Sequence, residues 1–137
     1  MKDMIFPIGD PNDAYAEFFS GQSYLKVLSD KQVTIFNVTF EPGCRNNWHI
    51  HHADKGGGQI LLVTAGRGWY QEWGKPVREL HPGDVVNIPP EVKHWHGAAS
   101  DSMFSHIAIE VPAVGGKNEW CEPVSDSEYL SLNNQGE

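Results

Sequence analysis

Three histidines give this sequence its clearest chemical signal. His49 and His51 stand two residues apart after Gly43, and His94 ends a second glycine-led run that starts at Gly83. On a β-strand, residues two apart point to the same face, so His49 and His51 project side by side. Two adjacent imidazoles can chelate a divalent first-row metal, since such metals favour nitrogen donors. The spacing therefore predicts a metal site on a β-scaffold.

Strand patterns in the middle of the chain must position these histidines. In residues 32–40, alternate residues such as Phe36 and Val38 share one face, whereas residues 59–64 form a nearly continuous apolar run. Further strand-like segments are residues 24–28, 66–72, 77–80, 85–88, 94–99 and 104–111. Short helices are predicted only near residues 14–19 and 126–132. Fourteen glycines and nine prolines suit many tight turns. We therefore predict an all-β antiparallel barrel or sandwich, with residues 1–137 forming one domain.

Composition excludes several classes of partner. The formal net charge of −8 argues against nucleic acid and against an anionic membrane. No stretch approaches the roughly 20 apolar residues of a membrane span. The N-terminal segment lacks the apolar core of a signal peptide, and the two cysteines share no motif. We therefore expect a reduced, cytoplasmic protein with no nucleic acid or membrane partner.

A second chemical pattern lies in residues 104–111, where His106 and Glu110 share one strand face. If that face looks inward, both side chains line the metal cavity. His96 would line it too if its strand is regular, because it lies two residues from His94. The apolar wall of the cavity is expected from the inner face of the first strand, namely Phe36 and Val38.

Three spacing patterns in this sequence together resemble the two signature motifs of the cupins. The patterns are Gly43-x5-His49-x-His51, Gln59-x6-Gly66 and Gly83-x5-Pro89-x4-His94. This resemblance covers most of the chain and implies a jelly-roll β-barrel with one divalent metal near its centre. The ligands that it implies are His49, His51, Gln59 and His94. Manganese, iron, zinc, nickel and cobalt all stay open as the metal.

Two strings are similar to those of small cupins of the hydroxynitrile lyase type and of carboxymuconolactone decarboxylase-like cupins. They are Gln-x-Leu-x-Val-Thr-Ala-Gly at residues 59–66 and Lys-His-Trp-His-Gly-Ala-Ala at residues 93–99. The resemblance implies that His106 is a catalytic acid or base. From the strand faces given above, His96, Phe36 and Val38 are expected to contact a small-molecule substrate. Glu110 stands where those relatives carry glutamine, and it could raise the basicity of His106 or displace an anionic substrate. A homodimer formed by sheet augmentation near residues 24–28 is also implied.

Three features depart from the usual cupin pattern. Gln59 stands where Glu is commoner, and a neutral amide with three neutral imidazoles leaves the full double charge on a bound metal. Seven residues separate the His-x-His pair from Gln59, where three or four are usual, so His52 or Asp54 are alternative fourth ligands. In the second motif, Glu91 and Ala98 stand where Gly and Asn are commoner.

The neutral ligand set favours polar chemistry over oxygen activation, which anionic donors assist. The leading hypothesis is therefore a metal-dependent lyase that makes or breaks a bond next to a carbonyl, as hydroxynitrile lyases do. A non-catalytic cupin that binds a small ligand is the first alternative. A metal-dependent oxygenase is the second.

Overall fold

The computed structural model describes residues 4–132 as two antiparallel sheets and a short β-ribbon. Residues 1–3 and 133–137, which the predicted domain includes, lie outside the described residues. The strands, in chain order, are β1 (Asp10–Pro11), β2 (Phe19–Ser20), β3 (Ser23–Asp30), β4 (Thr34–Phe40), β5 (Arg45–Asn46), β6 (His49–His52), β7 (Lys55–Gly56), β8 (Gln59–Gly66), β9 (Gly68–Glu72), β10 (Arg78–Leu80), β11 (Val85–Ile88), β12 (His94–Ala98), β13 (Phe104–Glu110), β14 (Ala113–Val114) and β15 (Lys117–Trp120). The helices are a 3₁₀-helix over Asp13–Phe18 and α1 over Asp126–Leu132.

The chain moves back and forth between the two sheets. The first sheet has the order β1-β3-β4-β13-β8-β11, and the second has the order β10-β9-β12-β5-β2. β6 and β15 extend the second sheet, because β6 pairs with both β12 and β15. β8 thus lies in the first sheet, β9 in the second, β11 in the first and β12 in the second. This is a jelly-roll barrel, and the predicted all-β fold is confirmed.

β4 forms an inner wall of the barrel by strict alternation. The residues that it turns toward the cavity between the sheets are Thr34, Phe36, Val38 and Phe40. On its opposite face, the Thr39 hydroxyl lies 2.9 Å from the Ser105 hydroxyl of β13. The predicted alternation is confirmed, although the strand starts at Thr34 and not at residue 32.

α1 completes an apolar cluster with three buried tryptophans. Tyr129 and Leu132 of this helix are 2% and 7% exposed. They belong to one buried cluster with Trp48, Trp69 and Trp95. Both helices lie where the sequence predicts them. Within residues 4–132, neither is long and apolar enough to cross a membrane.

The long segment between β6 and β8 is a structured ribbon. Its β7 strand pairs with β14, and Gly56, Gly57 and Gly58 have φ values of 67°, 86° and 88°. These left-handed conformations favour glycine, and a Cβ at Gly58 would lie only 2.3 Å from the Ile88 carbonyl oxygen. The extra residues therefore fold into the ribbon, and Gln59 begins β8 in the first sheet, between β13 and β11.

The edge of β3, where we expect dimer contacts, is partly paired within the chain. β1 pairs with Tyr24 and Leu25 of this strand. Val27, further along the strand, is 46% exposed. Sheet augmentation could therefore use only the part of β3 beyond Leu25, and the homodimer stays a prediction.

Candidate metal centre and cavity

Three histidines from two neighbouring strands converge on one point. His49 and His51 lie on the same face of β6, and His94, the first residue of β12, pairs in register with His49. One ring nitrogen of each lies within 4.8 Å of the others, and all three side chains are buried. The register of the two strands thus brings together the residues that the sequence spacing singles out.

Backbone carbonyls orient two of these rings. Nδ1 of His49 donates to the Asn47 carbonyl at 2.8 Å, and Nδ1 of His94 donates to the Val92 carbonyl at 2.9 Å. A carbonyl oxygen can only accept, so Nδ1 carries the proton and Nε2 keeps its lone pair. Burial lowers the pKa of His94 to about 4. Burial, with His94 as neighbour, lowers the pKa of His49 well below its ordinary value. Both rings are therefore neutral at pH 7, as metal ligands must be.

Gln59 supplies an oxygen that fits a fourth ligand position. Its Oε1 atom is buried without a hydrogen-bond partner among residues 4–132, and so are the Nε2 atoms of His51 and His94. A buried acceptor left unpaired costs about 1–3 kcal/mol. A divalent cation held by these atoms would remove that cost, so the donor set fits a metal of the kind that imidazole and amide ligands bind.

The other two residues considered for the fourth position point elsewhere. Both ring nitrogens of His52 are taken, by Glu91 at 2.6 Å and by Glu119 at 2.7 Å. Glu91 makes this contact from a backbone φ of 70°, which explains why glycine is the commoner residue at such a position. Asp54 is exposed. Neither His52 nor Asp54 lines the cavity that Gln59 lines.

A cavity of about 320 Å³ opens beside the histidines. Its polar lining includes His49, His51, Gln59, His96, Glu110, Asn46 and Asn118. Its apolar lining includes Leu25, Phe36, Val38, Phe40 and Ala108. Pockets for small molecules typically measure about 300–1,000 Å³. The cavity therefore suits a small, partly apolar molecule with one polar end near the histidines.

Comparison with known proteins agrees with this geometry. Residues 36–110, more than half of the chain, match the family model of the cupin domain. The chain belongs to the cupin family. This cupin is 50% identical over 93 residues to an (R)-mandelonitrile lyase of Granulicella tundricola, and the match covers 68% of each protein. It is 30% identical over 69 residues to an acireductone dioxygenase of Bacillus cytotoxicus, over 47% of this chain and 39% of that one.

Solved structures share its fold. A cupin-like protein from Thermotoga maritima superimposes with a TM-score of 0.82 at 43% identity, over 94% of this chain and 96% of that one. A DMSP lyase from Ruegeria pomeroyi superimposes with a TM-score of 0.61 at 19% identity, over 82% of this chain and 56% of that one. The second likeness concerns the fold alone. The predicted membership of the cupins is confirmed.

In this cupin, His106 lies behind the cavity wall and contacts His96. The His106 side chain is fully buried, and its Nε2 lies 3.3 Å from Nδ1 of His96. Of these two, His96 is the residue that lines the cavity. Burial lowers the pKa of His106 to about 4. Burial, and then His106, lowers the pKa of His96 well below its ordinary value. The two rings thus form a neutral, hydrogen-bonded pair with one member at the cavity.

Glu110 lines the cavity far from His106. The two residues are four positions apart on β13, which corresponds to about 13 Å along a strand. The Glu110 carboxylate accepts a hydrogen bond from Nε2 of Gln59 at 2.5 Å. Its contact is therefore with Gln59, and the expectation that it raises the basicity of His106 does not fit this geometry.

The strand β15 adds two residues to the site that sequence reasoning missed. Asn118 places its Oδ1 atom 2.8 Å from Nδ1 of His51, and the Trp120 ring lies 4.8 Å from the ring of His49. Both line the cavity. β15 is short and mostly exposed, so no apolar alternation marks it in the sequence.

Replacement of Gln59 by glutamate tests the charge of the ligand set. We expect Gln59→Glu to keep a bound metal and to weaken azide binding about tenfold or more. A unit charge about 4 Å from the anion costs about 4 kcal/mol at an effective dielectric constant of about 20. Azide titration of the Co(II)-loaded protein, followed by visible absorption, measures this affinity. Gln59→Asn, which adds no charge, is the control, and an unchanged azide affinity in Gln59→Glu would contradict the electrostatic argument.

Proposed function

We propose that this cupin is a metal-dependent lyase that cleaves or forms α-hydroxynitriles such as mandelonitrile. The observation that carries the proposal is the neutral donor set of His49, His51, His94 and Gln59 beside a cavity of about 320 Å³ with an apolar wall. The 50% identity to an (R)-mandelonitrile lyase supports the same reaction class.

The reaction needs a polarised oxygen and a mobile proton. Cleavage breaks the bond between the carbinol carbon and the nitrile carbon, converts the hydroxyl group to a carbonyl, and releases the nitrile as hydrogen cyanide. A bound divalent ion supplies Lewis-acid polarisation of the substrate oxygen. Because the four proposed ligands are neutral, none of them offsets the positive charge of a bound ion, although the Glu110 carboxylate lines the same cavity.

The His96–His106 pair is the proposed route for the proton. His96 lines the cavity, with its Nε2 3.2 Å from the Asn46 side-chain amide and its Nδ1 3.3 Å from His106 behind it. A substrate hydroxyl would take the place of Asn46 at Nε2. The pair takes the hydroxyl proton as the carbon–carbon bond breaks and returns it to the departing cyanide, so no net proton is consumed. His106 is fully buried, which keeps this proton away from solvent.

The apolar wall is proposed to hold the organic group of the substrate. Phe36 and Val38 point into the cavity from alternate positions of β4, and Phe40 continues the same face. When the aryl or alkyl group of the substrate is buried against this wall, the carbinol carbon of the substrate faces the histidines. The wall thus orients the substrate and excludes water from the reacting bond.

Cyanide release from mandelonitrile tests the proposal. The protein loaded with Mn(II) should release cyanide and benzaldehyde, lose this activity on treatment with a chelator, and regain it when Mn(II) is restored. Parallel loading with Fe(II), Zn(II), Ni(II) and Co(II) compares the other metals. Absence of cyanide release above the protein-free rate with every metal would overturn the lyase proposal.

A metal-dependent oxygenase is the second candidate. The 30% identity to an acireductone dioxygenase favours it, although that match spans 47% of this chain. The neutral amide of Gln59 argues against it, because anionic donors help a metal to give up electrons. Oxygen consumption by the Fe(II)-loaded protein with an acireductone, without cyanide release from mandelonitrile, would favour this candidate. Thermal stabilisation by small ligands without any turnover would instead indicate a binding protein.

A further inference from the structure

We propose that Glu110 is a positioning residue for the fourth metal ligand. Its carboxylate holds the side-chain amide of Gln59 so that Oε1 faces the histidines, and it makes that oxygen a stronger donor. The inference rests on the metal site of the proposed function, and it does not depend on which reaction that site performs.

The pairing of strands places the two side chains together. Glu110 on β13 and Gln59 on β8 are cross-strand partners in the register of the first sheet. Such partners have Cβ atoms about 4.5–5.5 Å apart and share a sheet face. The 2.5 Å contact from Nε2 of Gln59 to Oε1 of Glu110 follows from this register, and both side chains line the cavity.

The chemistry of the contact decides which end of the amide meets the cavity. An ionised carboxylate has only acceptor atoms, so Gln59 must present its NH₂ group to Glu110. The amide oxygen then points away from Glu110, and it is buried without a hydrogen-bond partner among the described residues. A neutral amide at position 110 would accept either orientation of Gln59, because it can both donate and accept.

The same contact strengthens the proposed ligand. A negative charge next to the NH₂ group polarises the amide and raises the electron density on its oxygen. Within residues 4–132, no lysine or arginine side chain forms an ion pair with Glu110. The charge of Glu110 is therefore directed at Gln59, while the four proposed ligand atoms themselves stay neutral.

A double-mutant cycle on Mn(II) affinity tests this role. The dissociation constant for Mn(II) is measured by calorimetric titration for the wild-type protein, Glu110→Ala, Gln59→Ala and the double variant. We expect Glu110→Ala to weaken Mn(II) binding about 10–100-fold, the usual effect of losing an outer partner of a ligand. In the Gln59→Ala background, the same change should alter the affinity by less than about twofold, because the amide through which Glu110 acts is gone.

Two further variants test whether the charge of Glu110 contributes to its effect. Glu110→Gln removes that charge, and Asp101→Asn removes a negative charge elsewhere as a control. Glu110→Gln keeps the shape of the side chain, and we expect an affinity between those of the wild type and Glu110→Ala. In the Zn(II)-loaded protein, the amide proton resonances of Gln59 should move upfield in Glu110→Gln, because a charge-assisted hydrogen bond is lost. Asp101→Asn removes a negative charge from an exposed turn outside the cavity lining, and it should leave both the affinity and these resonances unchanged.

The outcomes distinguish this inference from the proposed function. Equal losses of Mn(II) affinity from Glu110→Ala in both backgrounds, or no loss in either Glu110 variant, would overturn the positioning role even if cyanide is released. A second outcome is that the wild-type protein binds Mn(II) and that Glu110→Ala weakens this binding only when Gln59 is present, but that no cyanide is released. This outcome would support the positioning role and overturn the lyase proposal. A wild-type protein that binds no Mn(II) and none of the other divalent metals would overturn both.

Discussion

Alanine at position 94 should abolish stoichiometric metal binding, and alanine at position 49 should do the same. Both histidines are buried and present Nε2 from rings whose Nδ1 atoms are fixed by backbone carbonyls. Removal of one leaves at most two imidazoles and the Gln59 amide, and the affinity of such a small chelate falls by orders of magnitude. Elemental analysis of purified protein and calorimetric titration with Mn(II) measure the loss.

Two controls keep the result specific to the ligands. His81→Ala removes an exposed histidine and should leave the metal content unchanged. His94→Asn retains a polar side chain at the buried position, which limits any loss of stability, and it should also fail to bind Mn(II). Full metal occupancy in both His49→Ala and His94→Ala would refute the assignment of this centre.

The sequence was sufficient for the features of the site that depend on local spacing. The two-residue period of a strand is enough to place His49 beside His51, and Phe36 beside Val38. The glycine-framed runs resemble cupin motifs, and that resemblance brings His94 to the same centre. These inferences succeed because strand alternation and tight turns act over a few residues, so they leave a visible pattern in the chain.

Features that depend on pairing between distant segments could not be predicted from local sequence patterns. Asn118 and Trp120 reach the site because β15 pairs with β6. The four residues of β15 are mostly exposed, and their sequence contains no pattern that predicts this pairing. Glu110 contacts Gln59 because β13 and β8 are in register, whereas its own strand suggested His106 as its partner. The position of His106 behind His96 likewise follows from packing between the two sheets.

Loss of His106 should reduce turnover strongly while the metal stays bound. A positioned acid–base group typically contributes about 10²–10⁴-fold to the rate, so we expect His106→Ala to lower kcat for mandelonitrile cleavage by that order. His106 is outside the group of three histidines that could bind a metal. Mn(II) content should therefore match the wild type. Steady-state kinetics of cyanide release and elemental analysis on the same preparations measure both quantities.

The role of His106 as a proton carrier can be distinguished from a structural role. His106 is fully buried, so His106→Ala also leaves a cavity in the barrel and lowers the free energy of unfolding by a few kcal/mol. Added imidazole should restore part of kcat in His106→Ala if the lost group carried a proton. His106→Gln fills most of the space, but its amide neither accepts nor releases a proton at neutral pH, so it should regain stability without regaining turnover. Recovery of kcat in His106→Gln, or unchanged turnover in His106→Ala, would show that His106 only packs behind His96.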